Sequence, residues 1–175
     1  MNLKKPKFWD KQKPNFLSYI LIPITIFIKI LISLKPKRKI KIKNIKTICI
    51  GNIYIGGTGK TSLSIKINEI LNANNIKSCF IKKFYRNQMD EKKLLEINGE
   101  VFSSIKRIDA INQAEDKNFD VAILDDGYQD CSIKKDLKIL CFNEKQLIGN
   151  GHTIPSGPLR EGLSSIKKSQ IIVIN

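Results

Sequence analysis

TICIGNIYIGGTGKT, residues 47–61, is the stretch of the chain that decides the fold. It opens with a short apolar run, passes through a glycine-rich turn and enters residues 61–72, whose apolar positions have helical spacing. Glycines at a helix N-terminus let backbone N–H groups converge on phosphate oxygens, and the helix dipole favours an anion there. The stretch therefore predicts a phosphate-binding loop between a strand and a helix.

The last six residues of this stretch carry the expected chemistry, and they are Gly56, Gly57, Thr58, Gly59, Lys60 and Thr61. Lys60 is expected to reach the β- and γ-phosphates of ATP and to act in catalysis, while the Thr61 hydroxyl ligates Mg²⁺. Tyr54 replaces the first glycine of the strict pattern, GxxxxGK followed by Ser or Thr, so a merely structural glycine turn is the alternative. The strand before the loop and the helix after it favour nucleotide binding.

Two acidic residues, Asp125 and Asp126, follow the apolar run at residues 121–124. Acids at the carboxyl end of a strand beside a phosphate-binding loop can hold Mg²⁺ directly or through water. We expect both to be metal ligands and Asp126 to take part in catalysis as well. A turn or a helix cap is the structural alternative for such a pair.

Asp90 lies between the second predicted strand and the next helix-like stretch, on the side where ligands gather in open α/β sheets. A carboxylate there can accept the proton of an attacking hydroxyl group. Asp90 is therefore a candidate catalytic residue. Its position alone fits a helix N-cap at least as well.

Short apolar runs rich in β-branched residues recur along the rest of the chain, without the alternation of half-exposed strands. They cover residues 47–50, 79–81, 121–124, 139–142 and 171–174, and helical spacing is found at 61–72 and 105–116. Strand–helix alternation of this kind predicts an α/β fold, here a P-loop NTPase-like parallel sheet with flanking helices. Residues 144–164, punctuated by Gly, Pro and Ser, are expected to form a loop.

An apolar run at residues 16–34 is close to the length of about 20 residues that crosses a bilayer core. Lys29 inside the run and Pro23 near its centre weaken a perpendicular span, so a helix tilted across the bilayer or embedded in one leaflet fits as well. A buried core helix and a signal peptide are the remaining alternatives. We expect residues 1–46 to form a membrane-anchoring helix with basic flanks, and residues 47–175 to form the P-loop domain.

Positive charge is concentrated in the N-terminal segment. The chain has a net charge of +15, of which residues 1–46 carry +12 (13 Lys and Arg, one Asp), leaving +3 for residues 47–175. This distribution argues against a nucleic-acid partner and favours an anionic membrane surface. The four cysteines have no CxxC spacing and the chain has one histidine, so we expect reduced, mostly buried thiols and no zinc site.

The combined pattern resembles tetraacyldisaccharide 4′-kinase, the lipid A 4′-kinase. The similar segments are Phe8-Trp9 with the apolar run, 51–61, Asp90-Glu91, DDGYQ at 125–129, GNG at 149–151 and PSGPLRE at 155–161. The resemblance implies a kinase that transfers the γ-phosphate of ATP to the 4′-hydroxyl of a lipid-linked tetraacylated disaccharide 1-phosphate at the cytoplasmic face of the inner membrane. It also implies P-loop roles for Lys60 and Thr61, Mg²⁺ binding by the acid pair, and catalysis by Asp90. It identifies no protein partner.

The chain departs from the family pattern in several places. KKFY at 82–85 stands where an SRGY-like stretch is usual, and Met89 and Lys92 flank Asp90-Glu91 where glycine and proline are usual. The family chain is usually longer and carries a C-terminal histidine motif that His152 does not match. A fragment, a truncated gene product, a reduced enzyme and an inactive remnant are all expected possibilities. A membrane-associated ATPase switch is another, although Ile55 stands where such ATPases have a lysine.

Overall fold

In a computed structural model of the chain, residues 5–34, 40–42, 44–84 and 89–175 are described. The strands are β1 Lys46–Gly51, β2 Ser78–Lys83, β3 Val101–Ser104, β4 Val121–Asp125, β5 Leu137–Phe142 and β6 Ile171–Ile174. The α-helices are α1 Phe16–Ile20, α2 Ile22–Ser33, α3 Lys60–Ala73, α4 Met89–Asn98 and α5 Arg107–Asp116, and short 3₁₀ helices cover Lys7–Trp9 and Leu163–Lys168.

The six strands form one sheet in the order β3-β2-β4-β1-β5-β6, and every neighbouring pair is parallel. This confirms the predicted parallel α/β fold. β1 lies between β4 and β5, and its Ile50 is opposite Asp125 of β4. Because the carboxyl ends of parallel strands meet at one edge of the sheet, the loop after β1 and the acidic turn after β4 are direct neighbours.

Side chains of the central strands alternate between two apolar layers, as the two-residue period of a strand requires. Ile50, Phe80 and Ile123 pack in the layer that also contains α3 and α4, whereas Cys49 and Leu124 pack in the layer that contains α5. All five are fully buried. Full burial of an aliphatic or aromatic side chain contributes about 1.5–3 kcal/mol, so the sheet edge that carries the loops rests on a rigid base.

The predicted strands and the two predicted helices are all present, with each boundary shifted by two residues or fewer. β3 was not predicted, because VFSS at 101–104 is short and only Phe102 in it is buried. Residues 144–162 are turns, bends and short bridges, and a 3₁₀ helix begins at residue 163, so the predicted loop is confirmed except for its last two residues.

Three of the four cysteines are buried, and all four are free. Burial raises the pKa of Cys49 to about 11 and that of Cys79 to about 12, because an apolar interior disfavours the thiolate. Cys131 is exposed. The expected set of reduced and mostly buried thiols is therefore confirmed.

The apolar run at residues 16–34 is divided into two helices that meet at Leu21. Pro23 is the second residue of α2, and its missing N–H removes the bond that would continue α1 into α2. Among the described residues no helix is both long enough and apolar enough to span a membrane. The expected N-terminal membrane helix is therefore not supported.

The N-terminal helices contact the domain through polar groups. Ser18 and Thr25 are the residues of α1 and α2 that are buried. The Ser156 hydroxyl donates to the Ser18 carbonyl at 2.6 Å, the Asn150 amide donates to the Ser18 hydroxyl at 3.0 Å, and the Ser156 N–H donates to the Thr25 hydroxyl at 3.3 Å. The two helices thus rest on the loop at residues 144–164. The division of the chain at residue 46 stays a prediction.

Candidate nucleotide-binding site

The loop between β1 and α3 has the backbone geometry of an anion cradle. Gly56 (φ 131°) and Gly59 (φ 72°) are in the left-handed region, which residues with a Cβ rarely adopt. The N–H groups of residues 56–59 donate to no carbonyl or side chain in the described part of the chain. Open space surrounds Gly57, where an added Cβ would meet no atom within 4 Å. Unpaired N–H groups at a helix N-terminus favour a phosphate.

Contacts from two directions fix the shape of this loop. Inside it, the Asn52 side chain donates to the carbonyls of Tyr54 at 2.6 Å and Gly56 at 3.2 Å. From outside, the segment that contains PSGPLRE pairs with it, because the Arg160 N–H donates to the Ile53 carbonyl at 2.6 Å and the Ile55 N–H donates to a carbonyl of that segment at 2.9 Å. Two motifs that are about 100 residues apart in sequence therefore form one unit.

Tyr54, which replaces the first glycine of the strict motif, is fully buried in the apolar core. Its hydroxyl donates to the Asp10 carboxylate, and the Lys5 ammonium donates to both groups, to Asp10 at 2.6 Å and to Tyr54 at 3.0 Å. Burial and the Asp10 carboxylate raise the pKa of Tyr54 above its usual value. The ring is accommodated because it lies in the core and leaves the phosphate side of the loop open.

Asp126 lies between two cations at the mouth of the loop. The Lys60 ammonium is 3.7 Å from Oδ1, and the Arg160 guanidinium is 3.2 Å from the same oxygen. These three side chains have a net charge of +1, which favours an added anion. Asp126 has φ 53°, and the Arg107 guanidinium donates to its carbonyl at 2.9 Å, which holds this left-handed turn in place.

Asp125 occupies a different environment, since its side chain is only 1% exposed. The Ser64 hydroxyl, which donates to the Lys60 carbonyl at 3.0 Å, is 3.3 Å from Oδ1, and the Lys82 ammonium donates to Oδ2 at 3.0 Å. Lys82 also donates to Glu91 at 2.6 Å. Burial acts to lower the pKa of Lys82, but the attraction of both carboxylates outweighs it and raises the pKa above its usual value.

The oxygen donors at the mouth of the loop fit a magnesium ion. Mg²⁺ is usually held by one or two carboxylates together with substrate phosphates and water. Asp126 is half-buried with its carboxylate among the loop residues, and Thr61 is the second residue of α3, directly after Lys60. Their predicted role as ligands of this ion stays a prediction. Asp125 would have to leave Lys82 to bind it directly, so its predicted metal role stays a prediction.

Asp90 is exposed in the first turn of α4. In the described part of the chain its side chain makes no hydrogen bond or ion pair, and no described contact joins it to Lys60 or Asp126. The structure therefore brings Lys60 and Asp126 together but leaves the catalytic role of Asp90 untested. Its neighbour Glu91 does reach the site, through Lys82.

Three residues contact the site although the sequence did not predict a role for them there. Lys82 is the second-last residue of β2, and the sequence pattern shows it only as a departure from the SRGY-like stretch. Arg107 begins a helix, where a basic residue is an ordinary surface choice. Gln129 donates to the Asn52 carbonyl at 2.7 Å, which joins the acidic turn to the start of the loop. A charged residue within an otherwise apolar strand was the signal available for Lys82.

The comparisons with known proteins agree on one family. The family model LpxK, described as tetraacyldisaccharide-1-P 4′-kinase, matches residues 16–175. A tetraacyldisaccharide 4′-kinase of Pelagibacter ubique (strain HTCC1062) is 58% identical over 175 residues, which cover 100% of this chain and 56% of the relative. A tetraacyldisaccharide 4′-kinase of Rickettsia canadensis (strain McKiel) is 32% identical over 178 residues, and the match covers 92% of this chain and 54% of the relative. The chain thus spans about half the length of these relatives.

Solved structures show the same fold. The crystal structure of "apo" form LpxK from Aquifex aeolicus, in complex with ATP, superposes with a TM-score of 0.75 at 23% identity, covering 91% of this chain and 59% of that one. Signal recognition particle 54 kDa protein from Aeropyrum pernix K1, in complex with GDP, has a TM-score of 0.50 at 10% identity, covering 93% of this chain and 49% of that one. Because the family model matches nearly the whole sequence, this chain belongs to the tetraacyldisaccharide-1-P 4′-kinase family.

Proposed function

We propose that the chain carries the ATP site of a lipid A disaccharide 4′-kinase, which transfers the γ-phosphate of ATP to the 4′-hydroxyl of a tetraacyldisaccharide 1-phosphate. The curated relatives are named for this reaction, and family membership supports it. The site supports the phosphate-donor half of the reaction directly. The lipid acceptor rests on the names of the relatives.

The observation that carries the proposal is the meeting of Lys60, Asp126 and Arg160 beside the unpaired N–H groups of residues 56–59. Phosphoryl transfer needs mainly the positioning of reactants and the neutralisation of phosphate charge. The cradle would hold the β- and γ-phosphates, and Lys60 would exchange its long contact with Asp126 for a phosphate oxygen. Arg160 keeps the Asp126 carboxylate oriented during this exchange.

The remaining roles follow from the chemistry of the side chains. A bound Mg²⁺ would supply a Lewis acid that neutralises charge on the phosphates, held by Thr61 and Asp126 and, in the predicted set, by Asp125. Asp90 would accept the proton of the acceptor hydroxyl. It is an exposed carboxylate on the helix that follows β2, and β2 is the strand beside β4. Gly56, Gly57, Thr58 and Gly59 would bind phosphate through their backbone.

We also propose that the N-terminal segment, residues 1–46, brings the P-loop domain of residues 47–175 to an anionic membrane surface, the cytoplasmic face of the inner membrane. Apolar side chains of α1 and α2 are exposed on several sides, among them Phe16, Phe27 and Leu34 at 78%, 61% and 73%. Contiguous exposed apolar patches on a folded protein mark interaction surfaces. Basic residues near both ends of the helices would add about 1 kcal/mol each at an anionic surface.

The test is incubation of the chain with ATP labelled at the γ-phosphate, Mg²⁺ and vesicles that contain the tetraacyldisaccharide 1-phosphate. Vesicles with the same lipid already phosphorylated at the 4′ position are the matched control. Labelled lipid from the first vesicles alone supports the proposal. Hydrolysis of ATP that is indifferent to the acceptor lipid would favour the ATPase switch, and absence of both would contradict the kinase.

A further inference from the structure

We propose that Lys82 is a positioning residue for the transfer, because it joins the first turn of α4, which carries Asp90, to the nucleotide-binding site. The proposal rests on the proposed function and adds to it a residue at which the chain departs from its family pattern. Lys82 touches neither the phosphate cradle nor Asp90 in the structure, so it acts through its two carboxylate partners.

Strand geometry brings Lys82 to this position. In β2, Phe80 and Lys82 are two residues apart and therefore project from the same face of the sheet. In β4, Ile123 and Asp125 project from that face as well, and the register pairs Ile81 with Leu124. Lys82 and Asp125 are thus neighbours at the carboxyl ends of adjacent strands, on the face covered by α3 and α4.

Two contacts then fix the Lys82 side chain, which is 5% exposed. Its ammonium is 3.0 Å from Asp125 and 2.6 Å from Glu91. Ion pairs on an open surface contribute little to stability. A buried ammonium has few other partners, so removing one carboxylate has a larger effect on where the other is held.

The chain of contacts continues on the other side of Asp125. The Ser64 hydroxyl is 3.3 Å from the Asp125 carboxylate and 3.0 Å from the carbonyl of Lys60, to which it donates. The first turn of α3, with the phosphate-binding lysine, is therefore connected through Ser64, Asp125 and Lys82 to Glu91 on α4.

The position of the Asp90 side chain depends on this chain of contacts. Its exposed side chain has no hydrogen bond or ion pair among the described residues, so nothing described there holds it except the helix that carries it. Glu91 is the next residue, and among the described residues its ion pair with Lys82 is the polar side-chain contact that joins this turn to the strand edge. A displacement of about 1 Å can lower a transfer rate by about 100-fold.

Glu91→Gln is the cleanest test, because the Glu91 side chain is 53% exposed and its neutral form leaves no buried charge unpaired. We expect kcat to fall about 10- to 100-fold while the KM for ATP changes less than about threefold. The matched control is Glu96→Gln on the same helix, whose pair with Lys92 at 3.1 Å is exposed, and which should keep wild-type kcat. Equal effects of the two variants would overturn the proposal.

Lys82 itself is tested by a neutral and a charged replacement. Lys82→Met should show the loss seen with Glu91→Gln, and Lys82→Arg should restore most of it. In an Asp90→Asn background, Glu91→Gln should lower the residual kcat less than about twofold, because the positioned group is already gone. A full further loss in that background, or no rescue by arginine in a folded variant, would contradict a role through Asp90.

Hydrogen exchange at the amides of Lys93 and Leu94, which the i to i−4 pattern pairs with carbonyls of the first turn of α4, gives a readout that does not need activity. We expect Glu91→Gln and Lys82→Met to exchange faster there than wild type, with the last turn of α4 unchanged. If the wild-type chain transfers no phosphate, the proposed function fails, and this exchange still decides whether Lys82 holds the turn. Unchanged exchange in both variants would overturn the proposal.

Discussion

The sheet edge at the candidate nucleotide-binding site and the N-terminal helices differ in which side chains they bury. At the sheet edge, charged groups such as Lys82 and Asp125 are buried and paired on a wholly apolar base. In α1 and α2, the buried residues are the polar Ser18 and Thr25, and the apolar side chains are outside. The first arrangement keeps charges fixed in relation to one another. The second attaches a segment by hydrogen bonds and leaves its apolar surface for another environment.

This contrast separates the two parts of the proposed function. Changes at the sheet edge should affect phosphate transfer, and changes on the outside of α2 should affect membrane attachment. Changes to the polar contacts between the helices and the loop should affect stability. Each of the following predictions tests whether these effects are separate.

The largest effect is expected for Lys60→Ala. Loss of the ammonium proposed to bind phosphate should lower lipid phosphorylation by about 10²- to 10³-fold and leave vesicle binding within twofold of wild type. Labelled-phosphate transfer and vesicle flotation measure the two quantities. Lys66→Ala, an exposed lysine on the same helix that pairs with Glu69 at 2.9 Å, is the control. A parallel loss of vesicle binding would break the separation.

The next effect is expected on the outside of α2. Glutamate at both Phe27 and Ile30, which are 61% and 53% exposed, should weaken binding to anionic vesicles by about 10- to 100-fold, because charges replace two apolar groups. Affinity for ATP, measured by titration calorimetry, should not change. Glutamate at the exposed Ile70 and Ile97 of α3 and α4 is the control, and it should leave vesicle binding intact.

A smaller effect is expected between the two regions. Ser156→Ala removes the donor to the Ser18 carbonyl and leaves that buried acceptor unpaired, so the free energy of unfolding should fall by about 1–3 kcal/mol. Urea unfolding measures it, with the exposed Ser164→Ala as control, expected within about 0.5 kcal/mol of wild type. An unchanged unfolding free energy for Ser156→Ala would mean that these hydrogen bonds do not attach the helices.

The smallest effect concerns pH. Burial acts to raise the pKa of Asp130, but hydrogen bonds from Ser132 and Arg107 outweigh it, so the pKa lies below the ordinary 3.8. A lowered pKa in the folded state stabilises it above pH 3.8, and this contribution disappears as the pH falls through the lowered value. Asp130→Asn should therefore be less stable than wild type near pH 6, by about 1 kcal/mol or less, and equal to it in strong acid. A constant difference across this range would contradict the assignment.

The sheet and the phosphate-binding loop could be predicted because their signals are local. The apolar runs are short and β-branched, and the glycines between β1 and α3 stand where a left-handed backbone is required. Parallel strands place Asp125 and Asp126 beside that loop once the runs are recognised. The meeting of Lys60 with Asp126 follows from topology, which the alternation of strands and helices already indicated.

The partners of Lys82, Arg160 and Tyr54 could not be predicted in the same way. Each contact joins residues that are far apart in sequence, and its geometry depends on strand register and loop packing that composition does not encode. The sequence indicated a kink at Pro23, but it did not predict that the apolar run forms two separate helices that meet at Leu21. Ser18 and Thr25 looked incidental within an apolar run, because the residues that cover them lie about 130 positions later.

Tyr54 also limits how the chain can be shortened. Its hydroxyl lies in the interior of the protein and relies on Asp10 and Lys5, which precede the apolar helices in the sequence. A shortened variant that starts after those helices would leave the Tyr54 hydroxyl without these two partners. Excision of α1 and α2 alone, with residues 5–13 retained and rejoined through a flexible spacer, would keep both partners.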